Sequence, residues 1–428
     1  MQKHLLIIWI AKLVSLVSRT INQGSGSTWP GHIALHLNQH FIQDVMNKYD
    51  GKVILVAGTN GKTTTAKMIS SILGVEKVIT NPSGANLLNG TTSALINSMD
   101  LFGNVLKKYM VLEVDEAILP LLLKRITPDI VICLNLFRDQ LDRYGEVDMI
   151  SEKWNTSLKN LPESSIALLN ADDPQVAIIG TNLKAKVKYF GLEDKKLFKE
   201  MEHATDSTFC PKCGSRLIYE GVFFSHLGHW QCDNCGLKRP RPDINEFPSP
   251  LPGTYIKYDV LASALCAKIL GLTESEIQSK LSSFQPAFGR QEDIIVNGKK
   301  VKIILSKNPT GFNQTIDTVL HMGDDKKNYV LALNDFEQDG KDISWIYDVD
   351  FEKLLPHIKN LIITGRRAED MAVRVRYAGI NEVTYMSDFK KALNEALNKM
   401  GKNDTLYVLP TYSAMLEIRK ILLGRKLL

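Results

Sequence analysis

The segment from residue 53 to residue 65 constrains the fold more than any other part of the sequence. It reads VILVAGTNGKTTT, so an apolar strand enters a loop bounded by two glycines, and a helix then opens with a lysine. Backbone N–H groups of such a loop and the positive end of the helix hold phosphate oxygens, while the lysine adds charge and a threonine hydroxyl reaches Mg²⁺. The segment therefore predicts a nucleotide site formed by Gly58, Thr59, Asn60, Gly61, Lys62, Thr63 and Thr64.

The glycine spacing differs from the common phosphate-loop pattern G-x-x-x-x-G-K-[ST]. That pattern requires glycine at position 56, where this chain has Val56, and the first glycine is Gly58. A glycine-rich turn without a ligand is the alternative interpretation. The strand, the loop, the Lys-Thr pair and the helix occur together, however, and this favours the nucleotide site.

Length and composition indicate a globular protein of two or three domains. The chain has 428 residues, and its net charge of +5 fits anionic substrates but is too small to favour nucleic acid as a partner. Six cysteines form two C-x-x-C pairs and two single residues in apolar runs, Cys133 and Cys266. This pattern and the lack of a cleavable signal segment predict a cytoplasmic protein.

The apolar run at residues 5–17 predicts a helix packed on the next domain, within an N-terminal helical segment at residues 1–50. Lys12 interrupts the run, which is too short to span a bilayer. Contact with the inner face of a membrane is the alternative interpretation, because an apolar helix near basic residues can lie in an interface.

Strand-like and helix-like runs alternate in two separate parts of the chain, which predicts an α/β fold with parallel sheets. The first part predicts a central domain over residues 51–288, with strands near 53–57, 109–114, 130–135, 166–170 and 187–190. The second predicts a smaller α/β domain over residues 289–428, with strands near 301–305, 329–333, 361–364 and 406–409.

Two C-x-x-C knuckles separated by 18 residues predict a zinc ribbon inserted at residues 205–240. The candidate ligands are Cys210, Cys213, Cys232 and Cys235. Four thiolates close the coordination sphere of Zn²⁺, so the predicted role is structural. His226 or His229 as a ligand, and cysteines without metal, are the alternatives.

Further motifs place the chain in a family. These are the segments N81-PSGA-N86, L112-EVDE-116, N135-LFRDQLDRY-144 and L169-NADDP-174, together with residues 339–352, DGKDISWIYDVDFE. In this order they resemble the Mur ligase and folylpolyglutamate synthase superfamily, and within it the ligase-like subunits of lipid II isoglutaminyl synthase. The resemblance implies a Mur ligase-like central ATPase domain with the inserted ribbon, followed by a Rossmann-like C-terminal domain.

The resemblance also implies the reaction and its residues. Such ligases use ATP and Mg²⁺ to convert a carboxylate to an acyl phosphate, which ammonia captures here to amidate the α-carboxylate of D-glutamate in the lipid II stem peptide. Lys62 and Glu113 are the expected catalytic residues, and Thr63 and Glu113 are the expected Mg²⁺ ligands. Arg290 is expected to contact the nucleotide. Asp115 and Glu116 are either helpers or solvated loop carboxylates.

The partner implied by the resemblance is a GatD-type glutaminase that supplies ammonia. Asp348, or as second choice Asp350, is expected to complete the partner's catalytic triad; two acidic residues that open a helix are the alternative. A stand-alone ligase that adds an amino acid, and a zinc-ribbon scaffold with a vestigial ATP site, are the rival functions.

One position departs from the family pattern, and a second matches it only loosely. Gln140 stands where relatives carry histidine, and its amide binds metal more weakly than imidazole, so a second metal is in doubt. Lys153 matches the carbamylated lysine of relatives only by rough position, and an ordinary surface lysine is the alternative.

Overall fold

The computed structural model describes residues 2–21, 28–81, 85–139, 147–202, 205–286, 289–323 and 325–424. Two six-stranded sheets dominate these residues, one in each half of the chain. The two-sheet architecture agrees with the α/β fold predicted from the alternating runs. The predicted domain boundary at residue 288 lies outside the described residues.

The central sheet is parallel throughout, with strand order β2-β3-β1-β4-β5-β6. Its four inner strands are almost entirely buried and rich in Val, Ile and Leu, as parallel strands covered by helices are, while the edge strand KVKYF at residues 186–190 is half exposed. The bounds of the strands are β1 (Lys52–Ala57), β2 (Val78–Ile79), β3 (Tyr109–Val114), β4 (Ile130–Cys133), β5 (Ile166–Asn170) and β6 (Lys186–Phe190).

Helices cover both faces of the central sheet. The amino-terminal group is α1 (Gln2–Ile21), α2 (Trp29–Leu37) and α3 (Phe41–Met46), which pack on the same face as α5. The others are α4 (Lys62–Leu73), α5 (Leu88–Ser98), α6 (Leu119–Leu123), α7 (Val147–Leu158), α8 (Pro174–Ala177), α9 (Thr254–Ile269) and α10 (Glu274–Ser282).

The C-terminal sheet has the order β13-β12-β11-β14-β10-β9, and only its edge strand β9 runs antiparallel. The strands are β9 (Arg290–Val296), β10 (Lys299–Ile304), β11 (Lys327–Ala332), β12 (Ile358–Thr364), β13 (Thr384–Met386) and β14 (Thr405–Pro410). The helices are α11 (Pro309–Leu320), α12 (Ala368–Tyr377), α13 (Phe389–Lys399) and α14 (Tyr412–Leu423).

The inserted segment forms an antiparallel hairpin of β7 (Ile218–Phe224) and β8 (Leu227–Gln231). Its apolar tip joins the core beneath the central sheet, where Phe223 and Leu227 are completely buried. Arg239, just beyond the hairpin, donates from Nε to Asp172 Oδ1 at 2.6 Å, and Tyr258 donates its hydroxyl to Asp172 Oδ2 at 2.7 Å. The insertion is therefore anchored to the central domain by apolar contacts and by a buried charge.

Several edge elements were not predicted. The strands β2, β9 and β13 and the ribbon hairpin lie at sheet edges or in short, mixed sequences, where periodicity is weak. Arg290, the second residue of the predicted C-terminal domain, begins β9. No described helix is long and apolar enough to cross a membrane.

The close packing of α2 on α5 generates a stability prediction. A Cβ on Gly31 would lie 1.9 Å from the carbonyl oxygen of Asn89, and Gly31 N donates to Ser93 Oγ at 2.8 Å. Gly31→Ala therefore forces the helices apart, and we expect chemical denaturation to show a loss of about 2 kcal/mol in the free energy of unfolding. His36→Ala, at an exposed position of the same helix, is the control. Equal stability of the two variants would contradict this packing argument.

Candidate active site

The glycine loop at residues 58–61 connects β1 to α4 at the carboxyl edge of the central sheet. Gly58 and Gly61 have φ angles of 146° and 89°, which L side chains rarely adopt. Asn135, which follows β4, fixes the loop: its Oδ1 accepts from Asn60 N at 2.9 Å, and its carbonyl accepts from Thr59 N at 3.0 Å. The loop is thus held in one conformation by a neighbouring strand end.

Lys62 is buried at the start of α4, and its ammonium is surrounded by oxygen atoms. Its Nζ contacts the carbonyl oxygen of Gly58 and donates to Thr59 O at 3.0 Å and to Glu116 Oε2 at 3.2 Å. Burial alone would lower the pKa of Lys62, but the carboxylates of Glu116, Asp115 and Glu113 outweigh burial and raise it. Lys62 therefore remains a cation that can face an anionic ligand.

Thr63 and Glu113 lie side by side next to Lys62. Thr63 Oγ1 donates to Glu113 Oε2 at 2.9 Å. Asn81 holds the backbone of Glu113 on both sides, accepting from its N–H and donating to its carbonyl, each at 2.9 Å. Adjacent oxygen ligands of an octahedral Mg²⁺ are separated by about 2.9 Å, so this hydroxyl–carboxylate pair fits the ion.

Asp115 and Glu116 are buried and are not solvated loop carboxylates. Glu116 is 2% exposed, and although burial alone would raise its pKa, Lys62 and Lys307 lower it. Asp115 is 4% exposed and accepts from Ala117 N at 3.1 Å. Glu116 thus forms an ion pair with the buried lysine, while Asp115 shapes the turn after β3.

The C-terminal domain contacts the glycine loop through the turn after β10. Asn308 caps α11 by accepting from Gly311 N at 2.8 Å, and its Nδ2 donates to Asn60 Oδ1 at 3.1 Å. Lys307 pairs with the buried carboxylate of Asp139. Arg366, in the turn after β12, pairs with Asp335 at 3.0 Å and lines a separate cavity with Asn334 and Phe336.

A cavity between the two domains opens beside the glycine loop. Arg290 lines this cavity. Three aromatic side chains line it as well: Phe224, Tyr255 and Tyr258. The other lining residues include Asn60, Gly61, Thr64, Asn135, Asp259, Lys307 and Asn308. Burial raises the pKa of Tyr255 to about 12 and raises that of Asp259 well above its ordinary value. Aromatic walls next to a phosphate-type loop suit a nucleotide with a flat base.

A second cavity lies on the other side of Lys307 and Asn308, which line both. Its further lining residues are Arg138, Asp139, Pro309, Asp342, Ser344, Trp345 and Asp348. Asp348 is 37% exposed, and its Oδ2 accepts from Arg138 Nη2 at 3.1 Å. Asp350 is 15% exposed and pairs instead with Lys353 at 2.8 Å, next to the short helix that it precedes. Of the two, Asp348 is the one that faces the cavity.

The four predicted zinc ligands converge. Their sulfur atoms all lie within 4.8 Å of one another, with 3.6 Å between Cys210 and Cys235 and 3.5 Å between Cys213 and Cys232. A tetrahedron with Zn–S bonds of about 2.3 Å has S–S edges of about 3.8 Å, so the cluster fits this metal. The two histidines lie elsewhere: His226 is buried 3.3 Å from Asp173, and His229 Nε2 lies 3.0 Å from Leu192 O.

Sequence reasoning missed the residues that hold the site together. The sequence marks Asn135 only as the first residue of a motif, and Asp259 and the contact between Asn308 and Asn60 join segments far apart in sequence. A polar residue directly after a strand is the available signal for Asn135. Lys153 lies exposed on α7, as an ordinary surface lysine does, and Gln140 lies outside the described residues.

Comparison with known proteins was made by sequence and by structure. Residues 305–415 match the family MurT ligase C-terminal, and residues 56–267 match the Mur ligase middle domain. The chain is 31% identical over 95% of both chains to the lipid II isoglutaminyl synthase (glutamine-hydrolyzing) subunit MurT of Staphylococcus aureus strain COL. It is 31% identical over 94% of both chains to the subunit of the same name from Streptococcus pneumoniae strain ATCC BAA-255 / R6.

Solved structures share the fold. A pseudomurein peptide ligase type C from Methanothermus fervidus has a TM-score of 0.68 at 22% identity, covering 91% of this chain and 84% of that chain. MurF ligase from Thermotoga maritima, solved with ADP, has a TM-score of 0.63 at 16% identity, and the match covers 92% of this chain and 85% of that chain. With its glycine loop, four-cysteine cluster and C-terminal domain, the chain belongs to the MurT family of Mur ligase-like enzymes.

Proposed function

We propose that this chain uses ATP to amidate the α-carboxylate of D-glutamate in the stem peptide of lipid II, with ammonia supplied by a GatD-type glutaminase subunit. The relatives named as MurT subunits of a glutamine-hydrolysing lipid II isoglutaminyl synthase support the reaction. The single observation that carries the proposal is the cluster of Lys62, Thr63 and Glu113 at the junction of the two domains. Lys62, together with Mg²⁺ held by Thr63 and Glu113, would neutralise the charge of a transferring phosphoryl group.

The proposed chemistry has two steps. A carboxylate oxygen of the substrate attacks the γ-phosphorus of ATP, the bond to ADP breaks, and an acyl phosphate forms. Ammonia then attacks the acyl carbon, the carbon–oxygen bond to phosphate breaks, and phosphate leaves as the nitrogen loses a proton. Each step moves negative charge between oxygens, so fixed positive charges near them lower the barrier.

The residues of this chain are assigned to these steps by position. Lys62 holds the phosphates from the loop side, and Lys307 does so from the C-terminal domain, since it lines both cavities. Thr63 and Glu113 would hold Mg²⁺, which supplies Lewis-acid stabilisation when bound. Arg290, at the wall of the first cavity, would contact the nucleotide.

The cysteines support a separate chain as the source of ammonia. Cys133 and Cys266 are completely buried, and burial raises the pKa of both thiols, that of Cys266 to about 12. A glutaminase that uses a cysteine nucleophile needs that cysteine as an accessible thiolate. The other four of the six cysteines belong to the ribbon cluster. This supports a two-subunit enzyme.

An amino-acid-adding ligase is the second candidate function. UDP-N-acetylmuramate–L-alanine ligase of Caldicellulosiruptor saccharolyticus is 25% identical over 85% of this chain. This similarity to an enzyme named for adding an amino acid supports the second candidate. The purified chain with its partner, lipid II, glutamine and ATP should give an amidated product in mass spectrometry. ATP turnover that requires an amino acid and no ammonia source would overturn the amidation. An ATP site that is vestigial in a scaffold would give no turnover at all.

Lys62→Ala should abolish ATP turnover. Loss of one preorganised positive group at the phosphates should lower kcat by about 100-fold or more. Because the change also leaves the buried Glu116 unpaired, thermal unfolding must show that the variant is folded. Lys124→Ala, at an exposed position, is the control. A folded Lys62→Ala protein with the wild-type ATPase rate would contradict the placement of Lys62 at the phosphates.

Asp348→Asn should affect amidation driven by glutamine and spare amidation driven by ammonium salts. We expect the glutamine-driven reaction with the partner to fall at least about 100-fold, since the partner's histidine loses its orienting carboxylate. Amidation driven by ammonium salts should stay near the wild-type rate. Asp350→Asn, paired with Lys353 in the structure, is the matched variant and should leave both reactions intact.

Two results would change the assignment of the triad residue. If Asp350→Asn alone lost the glutamine-driven reaction, that residue would take the role. If Asp348→Asn lost both reactions, we would assign this carboxylate to the amidation site beside Lys307 and not to the catalytic triad of the partner.

The four-cysteine cluster should bind about one structural zinc ion per chain. Cys213→Ser should lose the metal in elemental analysis and open residues 205–240 to limited proteolysis, since zinc binding supplies folding free energy. Lys212→Ala, an exposed position in the same knuckle, is the control. Wild-type protein without zinc, or a Cys213→Ser protein that retains it, would contradict the assignment.

The proposed substrate also fixes where the reaction takes place. Lipid II carries a lipid, so an enzyme that amidates it works at a membrane face. Peripheral contact with the inner face is the localisation that we propose for this chain.

A further inference from the structure

Between residues 5 and 16, helix α1 carries large apolar residues both on the side that packs against the central domain and on the outward side. Ile8 and Ala11 are completely buried against the central domain, and Ile7 and Ser15 are nearly so. A helix that is hydrophobic all round normally lies within a core or at a membrane. The side of α1 that faces away from the domain therefore requires an explanation.

The outward side carries a continuous row of large apolar residues. Five side chains are 37% to 62% exposed: Leu6, Trp9, Ile10, Leu13 and Leu16. Their spacing places them on one face of the helix, and that face has no polar side chain among residues 5–16, whose side chains the structure describes. Soluble monomers rarely expose such contiguous patches without an interaction partner.

A neighbouring loop extends the same surface. Trp9 Nε1 donates to the carbonyl of Leu101 at 2.8 Å, and Lys12 Nζ donates to that of Met99 at 2.7 Å, so the loop runs along α1. Leu101 and Phe102 at its tip are 65% and 78% exposed. We call the five α1 residues together with Leu101 and Phe102 the apolar platform.

The charged residues near α1 in the sequence indicate the kind of surface that the platform fits. Residues 1–43 contain three basic side chains, Lys3, Lys12 and Arg19, and no aspartate or glutamate before Asp44. The acidic residue next to the loop tip, Asp100, accepts hydrogen bonds from the backbone N–H groups of Phe102 and Asn104. Apolar residues with a tryptophan, next to basic residues, are the composition of helices that lie flat in the interface of an anionic bilayer. No described helix can cross a membrane, so the contact would be peripheral.

We propose that the apolar platform docks on an anionic phospholipid bilayer, with α1 lying parallel to the surface and Phe102 inserted beside it. The choice of a bilayer over a protein partner rests on the charge pattern, and in part on the proposed lipid-linked substrate. Docking would hold the enzyme at the surface where that substrate resides, which raises the rate of encounter between them.

Vesicle flotation tests the proposal with the full chain, alone and in complex with its glutaminase partner. Both should float with vesicles that contain phosphatidylglycerol, and less so at high salt or on phosphatidylcholine alone. Leu13→Glu should weaken binding at least about tenfold, because it replaces an inserted apolar side chain by a charge. Val75→Glu, an exposed apolar residue outside the platform, should bind as wild type. Phe102→Ser provides a second platform variant if Leu13→Glu is unfolded.

Three results would overturn the proposal. The first is wild-type protein or complex that fails to float, and the second is a folded Leu13→Glu protein that binds as tightly as wild type. The third is light scattering in which Leu13→Glu dissociates a dimer or the partner complex, since a protein would then cover the platform.

Amidation of a soluble, lipid-free stem peptide separates this proposal from the proposed function. Leu13→Glu should amidate that peptide at the wild-type rate while losing activity on lipid II in vesicles. If wild type floats but amidates neither substrate, the proposed function fails and the docking surface stands.

Discussion

The buried ammonium of Lys62 is the constraint on which the arrangement of the site depends. A charge taken out of water must be matched by nearby partners, and here they come from the glycine loop and from Glu116 after β3. These segments meet because strands β1 and β3 are adjacent and parallel, so that both end at the same edge of the sheet. The sheet order therefore brings the cation of Lys62 and the hydroxyl of Thr63 next to carboxylates that lie 50 to 54 residues further along the chain.

The ribbon is integrated into this arrangement and is not an appendage. Its hairpin tip contributes Phe224 to the wall of the first cavity, and Phe223 and Leu227 to the core beneath the sheet. The buried carboxylate of Asp172 joins Arg239 beyond the hairpin to Tyr258 of α9, which lines the same cavity. A metal that folds the ribbon would thus also support one wall of the candidate nucleotide site.

The insertion also connects the two domains near the second cavity. Arg138 lies between Asp206 of the inserted segment and Asp348 of the C-terminal domain, with N···O distances of 2.6 and 3.1 Å. Lys199 pairs with Asp317 of α11. Arg138 and Asp348 line the second cavity together with Lys307, so this ion pair contributes both to the contact between the domains and to the shape of the cavity.

The sequence by itself determined the two α/β halves, the strand–loop–helix at Lys62 and the four-cysteine cluster, because each is set by local periodicity or by short spacings. The motif residue Glu113 was also found, since it ends a strand. Only the tertiary structure decided that Asn135 clamps the loop, that Asn308 touches Asn60, and that Asp348 faces a cavity, because these contacts join segments up to 248 residues apart. It also decided that one apolar side of α1 stays uncovered, since hydropathy alone does not tell which side of a helix packs.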